Sequence, residues 1–197
     1  MLNYTYMLFA LSGPSGVGKS TLQAFLMETF GFRKVVTCTS RPPRMQEVQG
    51  KDYYFISEAK FKEHLNNDDL IAPTYTFGNY YGLLKNELHL NTLGCLALTY
   101  DGIPLIRQYC NRNNIMICVI CITAPKNVLQ KRLQNRNKIV DMERLADVEI
   151  YDKQMQLFDH IIMNVGRLKK TQDALGKIVQ DVLKIRNTTV SASITDG

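Results

Sequence analysis

Long apolar runs are missing from this 197-residue sequence, and none reaches the roughly 20 residues that a membrane-spanning helix requires. Met1–Ala10 also lacks the basic start and the small-residue cleavage site of a secretory signal peptide. We therefore expect no membrane partner. The cysteines are five, an odd number, and most lie among apolar residues, which favours a reducing, cytoplasmic location over a disulfide framework.

A metal site is not indicated either, because no second Cys or His pair complements the C-x-x-C pattern of Cys118 and Cys121 at the spacing of a zinc site. That pattern lies inside the apolar run Ile115–Ile122, which predicts a buried strand. The net charge of +6 favours anionic partners. Charge alone does not distinguish nucleotides from nucleic acid, so the motifs decide; they lead us to expect no nucleic-acid partner.

The order of the predicted elements indicates an α/β fold. Hydrophobic residues make up 45% of the chain, enough for one core, and we expect one domain over residues 1–186 and a disordered tail over 187–197. Strands are predicted at Tyr6–Leu11, Cys95–Thr99, Ile115–Ile122 and Ile161–Asn164. Helices are predicted at Ser20–Phe30, Ser57–Asn66, Ile103–Asn111, Lys126–Asn135, Met142–Leu157 and Lys170–Ile185. Such alternation predicts a parallel sheet flanked by helices.

The turn after the first strand matches the phosphate-binding pattern G-x-x-x-x-G-K-[ST] in full. Its glycines let the backbone fold with N–H groups inward, and the following helix adds the positive end of its dipole. Lys19 should reach the β/γ-phosphate oxygens, and Ser20 should hold Mg²⁺. The predicted ATP-binding residues are Gly13, Pro14, Ser15, Gly16, Val17, Gly18, Lys19, Ser20 and Thr21.

A second anion site is predicted in the polar, Pro-containing segment 33–57, which cannot form a long helix. Arg41 and Arg44 flank two prolines there, so their guanidinium groups can converge on one phosphate. Tyrosine hydroxyls would add neutral donors. The residues proposed for this acceptor site are Thr37, Arg41, Arg44, Tyr53 and Tyr81.

These residues carry a resemblance to a known family. Thr39–Phe55 resembles the acceptor-binding signature of guanylate kinases, and Gly78–Gly82 resembles their second acceptor motif. With the phosphate-binding loop in the same order, the resemblance covers about residues 6–185. It implies a P-loop NTPase-type fold with an acceptor-binding lobe at about 36–90 and a lid at about 133–146. It also implies an ATP- and Mg²⁺-dependent kinase of nucleoside monophosphates, with GMP or dGMP as the acceptor.

The resemblance further implies roles for single residues. Glu47 would organise the acceptor lobe, whose other residues would grip the acceptor's phosphate. Arginines of the lid would lie over the ATP phosphates. The implied catalytic residues are Lys19, Arg132, Arg136 and Arg144.

The sequence departs from the family where the guanine base would be read. Ala72 stands where the family has a glutamate, and Leu83 where it has Ser or Thr. Of two aspartates after the Cys95 strand, Thr99 replaces the first, and Asp101 would keep the second as a substrate-binding residue. Each missing charge-assisted hydrogen bond to a ligand costs about 1.5–3 kcal/mol, so base preference should be weakened.

Two alternatives stay open at this point. The chain could be a kinase of another phosphate-bearing acceptor, or a non-catalytic guanylate kinase-like module that binds a protein. The intact Lys19, Ser20 and lid arginines count against the module, which would not need them. For the oligomeric state we expect a monomer or a homodimer.

Overall fold

A computed structural model describes the backbone of residues 6–88, 93–137 and 142–194, and the side chains of these residues except 136, 137, 142–146 and 185–194. The strands are β1 Tyr6–Ser12, β2 Arg33–Lys34, β3 Cys38–Thr39, β4 Tyr54–Phe55, β5 Leu70–Thr76, β6 Asn79–Leu84, β7 Leu93–Leu98, β8 Ile115–Thr123 and β9 His160–Met163. The helices are α1 Lys19–Phe30, α2 Glu58–Asn66, α3 Gly102–Arg112, α4 Lys126–Asn137, α5 Met142–Lys153 and α6 Leu168–Ile194, with short 3-10 turns at Lys85–Glu87 and Met155–Leu157.

The central sheet has the strand order β2-β7-β1-β8-β9, and all neighbouring strands are parallel. Successive side chains of a strand point to opposite faces, and β1 in the middle of the sheet is buried on both. Met7, Phe9 and Leu11 pack in the cluster that contains Leu22 and Leu26 of α1, with Leu175 and Val179 of α6. Tyr6, Leu8 and Ala10 pack in the other cluster, with Ile103, Ile106 and Cys110 of α3. The predicted parallel sheet with helices on both faces is confirmed.

The segment predicted to form the acceptor lobe contains a second, smaller sheet of order β4-β3-β6-β5. Ser57 caps α2 as expected, since its hydroxyl accepts a hydrogen bond from the backbone N–H of Lys60 at 3.2 Å. Phe61 of this helix is fully buried against the sheet. The β5–β6 hairpin, which was not predicted, shifts its register between Ile71 and Thr74. Ala72 lies in that irregularity with φ 50°, a left-handed conformation.

The C-terminal boundary differs from the prediction. The helix α6 continues to Ile194, so most of the expected tail at 187–197 is helical, and 195–197 lie outside the described residues. The chain has neither Gly nor Pro between Lys177 and Ile194, so nothing in the sequence interrupts the backbone hydrogen bonds of the helix. Within the described ranges, no helix is both long and apolar enough to cross a membrane.

All five cysteines are buried as free thiols, including Cys118 and Cys121 in β8. Burial raises the pKa of each of these two thiols to about 12, so both remain protonated and unreactive at neutral pH. The described residues contain no cluster of His, Cys, Asp and Glu that could hold a metal ion. The C-x-x-C pattern is therefore part of a buried strand, as predicted.

Candidate active site

A cavity of about 500 Å³ separates the glycine-rich loop from the acceptor lobe. From the loop and the start of α1 it is lined by Gly13, Ser15, Gly16, Val17, Gly18, Lys19, Ser20 and Thr21. From the lobe it is lined by Thr37, Arg41, Arg44, Glu47, Tyr53, Ala72, Thr74, Phe77, Tyr81 and Gly82. The remaining lining residues are Ala97, Leu98, Thr99, Arg132, Asp147, Tyr151, Asn164 and Leu168. The two predicted anion sites thus share one cavity.

The glycine-rich loop needs its glycines for backbone geometry and for space. Gly13 begins the loop directly after β1 with φ 143°, and a Cβ there would collide with the carbonyl oxygen of Ile122. Gly18 has φ 101°, and a Cβ there would lie 2.9 Å from Nδ2 of Asn164. L-residues rarely adopt such φ values. The side chain of Val17 is fully buried in the core and fastens the loop to the sheet.

Positive charge is concentrated inside this loop. The ammonium group of Lys19 donates hydrogen bonds to the carbonyl oxygens of Gly13 and Pro14, the latter at 3.1 Å. The helix α1 begins at Lys19, and Gly18 before it has no side chain that could cap the first-turn N–H groups. These N–H groups and the helix dipole favour an anion at this end of the cavity.

Across the cavity, Glu47 joins both arginines of the lobe. Its carboxylate accepts hydrogen bonds from Nη2 of Arg41 at 3.0 and 2.9 Å and from Nη1 of Arg44 at 3.2 Å. It also accepts from the backbone N–H of Arg44 at 2.8 Å. Burial alone would raise the pKa of Glu47, but the Arg44 N–H and the Arg41 guanidinium outweigh burial and lower it. The ionised carboxylate therefore holds two cations side by side.

Two aromatic rings also contact Arg41. Its guanidinium carbon lies 5.6 Å from the ring centroids of both Tyr53 and Phe55, within the range of cation–π contacts. The rings of Tyr53 and Tyr81 meet edge to face at 6.4 Å. Burial raises the pKa of Tyr53, so its hydroxyl stays protonated and can donate a hydrogen bond.

The strand β3 carries Thr39 opposite Tyr81 of β6 and brings Thr37, just before it, to the cavity wall. The hydroxyl of Thr39 donates to the carbonyl oxygen of Tyr80 at 2.8 Å, which ties β3 to β6. Thr37 is only 7% exposed, so the cavity is where its hydroxyl has space for a ligand. Two tyrosines, one threonine and two arginines thus converge on one part of the wall.

Comparison with known proteins agrees with this geometry. The sequence profile of the guanylate kinase family, described as "Guanylate kinase", matches residues 6–182. The chain belongs to the guanylate kinase family. Among similar curated proteins, the guanylate kinase of Lactobacillus acidophilus is 34% identical, with 89% of this chain and 97% of the relative covered. That of Fusobacterium nucleatum subsp. nucleatum is 32% identical, with 90% and 97% covered.

A solved structure shares the fold. The crystal structure of guanylate kinase from Anaplasma phagocytophilum superposes with a TM-score of 0.69 at 23% identity, covering 91% of this chain and 87% of that chain. At this identity the likeness concerns the fold. It agrees with the P-loop NTPase-type arrangement that the sequence analysis predicted.

Most of the predicted site residues of this family member line the cavity, as given above. Pro14 does not line it, but its carbonyl oxygen accepts from Lys19. The side chains of Arg136 and Arg144 lie outside the described residues, whereas Arg132 on α4 lines the cavity. Residues 138–141 of the predicted lid are likewise outside the described ranges.

Asp101 is the predicted substrate-binding residue that the structure does not bring to the cavity. It precedes the first residue of α3, and its Oδ1 is buried with no hydrogen-bond partner in the described part of the chain. Thr99, directly after β7, lines the cavity instead. β7 ends at Leu98, and the next residues up to Asp101 form the turn that leads into α3 at Gly102.

The two positions at which the chain departs from the family lie in different surroundings. Ala72 lines the cavity, whereas Leu83 is fully buried in the apolar cluster of α3 and is not part of the lining. The cavity-lining carboxylates in the described residues are Glu47, which is bound to the arginines, and Asp147 on α5. Hydroxyl groups of Thr37, Thr74 and Thr99 provide polar contacts elsewhere on the wall.

The helix α5 contributes residues to the cavity that were not predicted from the sequence. The hydroxyl of Tyr151 lies 3.2 Å from Oγ of Ser12, which itself donates to the carbonyl oxygen of Leu98 at 2.9 Å. Burial raises the pKa of Tyr151 well above its usual value, so the hydroxyl remains protonated. Asp147, one helical turn earlier, is 5% exposed. The only hint in the sequence was the spacing of four between these residues on a predicted helix.

Proposed function

We propose that this protein transfers the γ-phosphoryl group of ATP, with Mg²⁺, to GMP or dGMP and so forms the corresponding diphosphate. The observation that carries the proposal is that the phosphate-binding loop and the Arg41–Arg44 pair line the same cavity. Phosphoryl transfer requires donor and acceptor phosphates in line and compensation of their charge. A cavity with cationic groups on two facing walls meets both requirements.

On the donor side, the loop fits a triphosphate. The glycines leave the backbone open to it, the first-turn N–H groups of α1 can bind the β-phosphate, and Lys19 can reach the β- and γ-oxygens. The hydroxyl of Ser20, which lines the cavity, would hold Mg²⁺, and the ion would neutralise charge on the same phosphates. Arg132 adds a further cation at the cavity wall.

On the acceptor side, Arg41 and Arg44 would bind and orient the monophosphate, with Tyr53 and Tyr81 donating from their hydroxyls. Glu47 positions both guanidinium groups before the acceptor arrives, so little side-chain entropy is lost on binding. The acceptor oxygen is then held towards the γ-phosphate. Groups held in place before reaction contribute most of the rate in this chemistry.

The base would meet hydroxyl groups and apolar surface at Ala72, Thr74 and Thr99. The lining carboxylates among the described residues are Glu47, which is bound to the arginines, and Asp147 on α5. Hydroxyls donate as well as accept, so they can contact guanine without rejecting other bases. Guanylate turnover with a flat preference among monophosphates follows. This leaves a kinase of a broader acceptor range as the second candidate.

One assay tests these proposals. ADP production from ATP–Mg²⁺ is measured with GMP, dGMP, IMP, AMP and CMP as acceptors. Turnover of GMP supports the proposed function, and comparable kcat/KM for IMP or AMP supports the broader range. Binding of ATP without turnover of any monophosphate would favour a non-catalytic protein-binding module. The cytoplasmic location and the monomeric or homodimeric state remain predictions.

A further inference from the structure

Asn164 lies directly after β9, outside all the motifs identified in the sequence, and it is hydrogen-bonded to several parts of the candidate active site. It is 5% exposed and lines the cavity. Its backbone N–H donates to the carbonyl oxygen of Thr123 at 2.7 Å, which fixes it to the end of β8. Its side chain and its carbonyl oxygen make three further hydrogen bonds, each to a different element.

The side-chain amide has a defined orientation. Its Nδ2 donates to the carbonyl oxygen of Val17 at 2.8 Å, and its Oδ1 accepts from the hydroxyl of Thr171 on α6 at 2.8 Å. A backbone carbonyl can only accept, so the group facing Val17 must be the NH₂. Thr171 is 2% exposed and holds the amide in that orientation.

The bond to Val17 determines the direction of a donor in the phosphate-binding loop. The C=O and N–H of a trans peptide point in opposite directions, so holding the Val17 carbonyl also orients the N–H of Gly18. Gly18 lacks a Cβ, and its own sterics restrict this peptide little. The close approach of the Asn164 amide is therefore what restrains the peptide between Val17 and Gly18.

The same residue holds a cation of the cavity. Nη2 of Arg132 on α4 donates to the backbone carbonyl oxygen of Asn164 at 3.0 Å. The loop that would bind the ATP phosphates and the arginine beside it are thus set by one residue. We propose that Asn164 is a positioning residue that orients the phosphate-binding loop for the phosphates of the donor nucleotide. This rests on the proposed function only in requiring that the loop binds phosphates.

The test measures binding by calorimetry with two probes, ATP–Mg²⁺ and inorganic tripolyphosphate–Mg²⁺, which presents the phosphates without a base. For Asn164→Ala we expect about tenfold weaker binding of both probes, by the same factor, from the loss of one buried hydrogen bond. Asn164→Asp keeps the shape and the Thr171 bond but places a carboxylate against the Val17 carbonyl, so a larger loss is expected. Thr171→Val should have a smaller effect, because the Val17 bond remains.

The matched control is Asn113→Ala, which removes a similar amide-to-carbonyl hydrogen bond, from Asn113 to Tyr109 at 2.8 Å, on the surface. It should bind both probes like the wild type. Weaker ATP binding by Asn164→Ala with unchanged tripolyphosphate binding would overturn the proposal, since the amide would then contact the nucleoside. Equal losses of ATP and GMP affinity would also overturn it.

If Asn164→Ala does not fold, the tripolyphosphate affinity of Asn164→Asp tests the proposal by itself. Wild-type tripolyphosphate affinity in that variant would refute a positioning role. Because the readout is phosphate binding, a chain that proved inactive on GMP would leave this test intact. Failure of the proposed function and failure of this inference are therefore distinguishable.

Discussion

The donor wall of the cavity, Gly13–Thr21, is one continuous stretch from the end of β1 into α1. The acceptor wall is instead assembled from residues on β5 and β6, from Thr37 beside β3, and from the loops around them. The donor wall depends on backbone conformation and on a single ammonium group. The acceptor wall depends on a network of charges centred on Glu47. Substitutions on the donor wall should therefore act through backbone geometry or the loss of one cation. Substitutions on the acceptor wall should act through the loss of charge-assisted hydrogen bonds.

The largest expected effect is at Lys19 on the donor wall. Lys19→Met should keep the fold but lower kcat by about three orders of magnitude or more, because the charge at the β- and γ-phosphates loses its cation. Steady-state kinetics, with thermal unfolding as a check on folding, measure this. Lys60→Met on exposed α2 is the control and should keep wild-type activity. A Lys19→Met variant within tenfold of the wild type would remove Lys19 from the mechanism.

The next prediction compares two glycines with positive φ, of which only the one on the donor wall has no room for a Cβ. Gly31 has φ 68° with no atom within 4 Å of an added Cβ, whereas a Cβ on Gly13 would meet the Ile122 backbone. Gly31→Ala should cost about 1–2 kcal/mol of unfolding free energy and leave ATP affinity unchanged. Gly13→Ala should cost more and abolish ATP binding. Denaturant unfolding measures the stability of both variants, and calorimetry measures their ATP affinity. Equal losses of unfolding free energy in the two variants would show that the lack of room at Gly13 is not important.

On the acceptor wall, Arg41→Ala should raise the KM for GMP by about 10- to 100-fold through loss of charge-assisted hydrogen bonds. ATP affinity should stay nearly constant, because Arg41 belongs to the network of Glu47 and not to the loop. Arg44→Ala should act in the same direction. Kinetics with each substrate varied in turn measure the difference. Equal losses for ATP and GMP would disprove the division into two walls.

A smaller and selective gain is expected from Ala72→Glu. A carboxylate at this cavity position would accept from N1–H and N2–H₂ of guanine, so the KM for GMP should fall about tenfold relative to AMP. Ala72 already has φ 50°, and the substitution adds no new backbone strain. Ala72→Gln is the matched control without charge. Leu83 is left unchanged, because a serine there would put a hydroxyl group into the core. Strong guanine preference in the wild type would show that the wall reads guanine by other groups.

The smallest effect concerns pH. The pKa of Glu47 is lower in the folded chain than its usual value of 4.5, so its stabilising contribution is present above that value and lost as pH falls through the lower folded value. The difference in unfolding free energy between the wild type and Glu47→Gln should therefore shrink on acidification. Denaturant titrations from neutral to acidic pH measure it. A difference that grows towards low pH would contradict the assignment.

The same contrast explains what could be predicted from the sequence. The donor wall was predictable because all its residues are contiguous and lie between a strand and a helix that periodicity identifies. The arginine pair was predictable from a local motif. Asn164 contacts the phosphate-binding loop at Val17, and Tyr151 contacts β1 at Ser12. Each of these partners is more than a hundred positions away, so no local pattern encodes the contact.

Two features of the site depend on where a strand ends or bulges. Asp101 was assigned by aligning a motif across a gap, yet the exact residue at which β7 ends decides which side chain reaches the cavity. The β5–β6 hairpin was not predicted because Pro73 and the register shift beside it interrupt the alternation that identifies a strand. Both outcomes depend on where a strand stops or bulges, which is the least predictable feature of a sheet.

The way the acceptor lobe joins the core has an evolutionary consequence. The chain leaves the central sheet after β2 and returns in β7, and these two strands are hydrogen-bonded neighbours at one edge. The whole lobe is therefore an insertion between adjacent strands, and its residues can change without altering the path of the chain through the donor wall. A family built in this way can exchange one acceptor for another by mutation within the insertion while it inherits the phosphate-donor chemistry intact. Ala72, inside that insertion, is the kind of position at which such divergence begins.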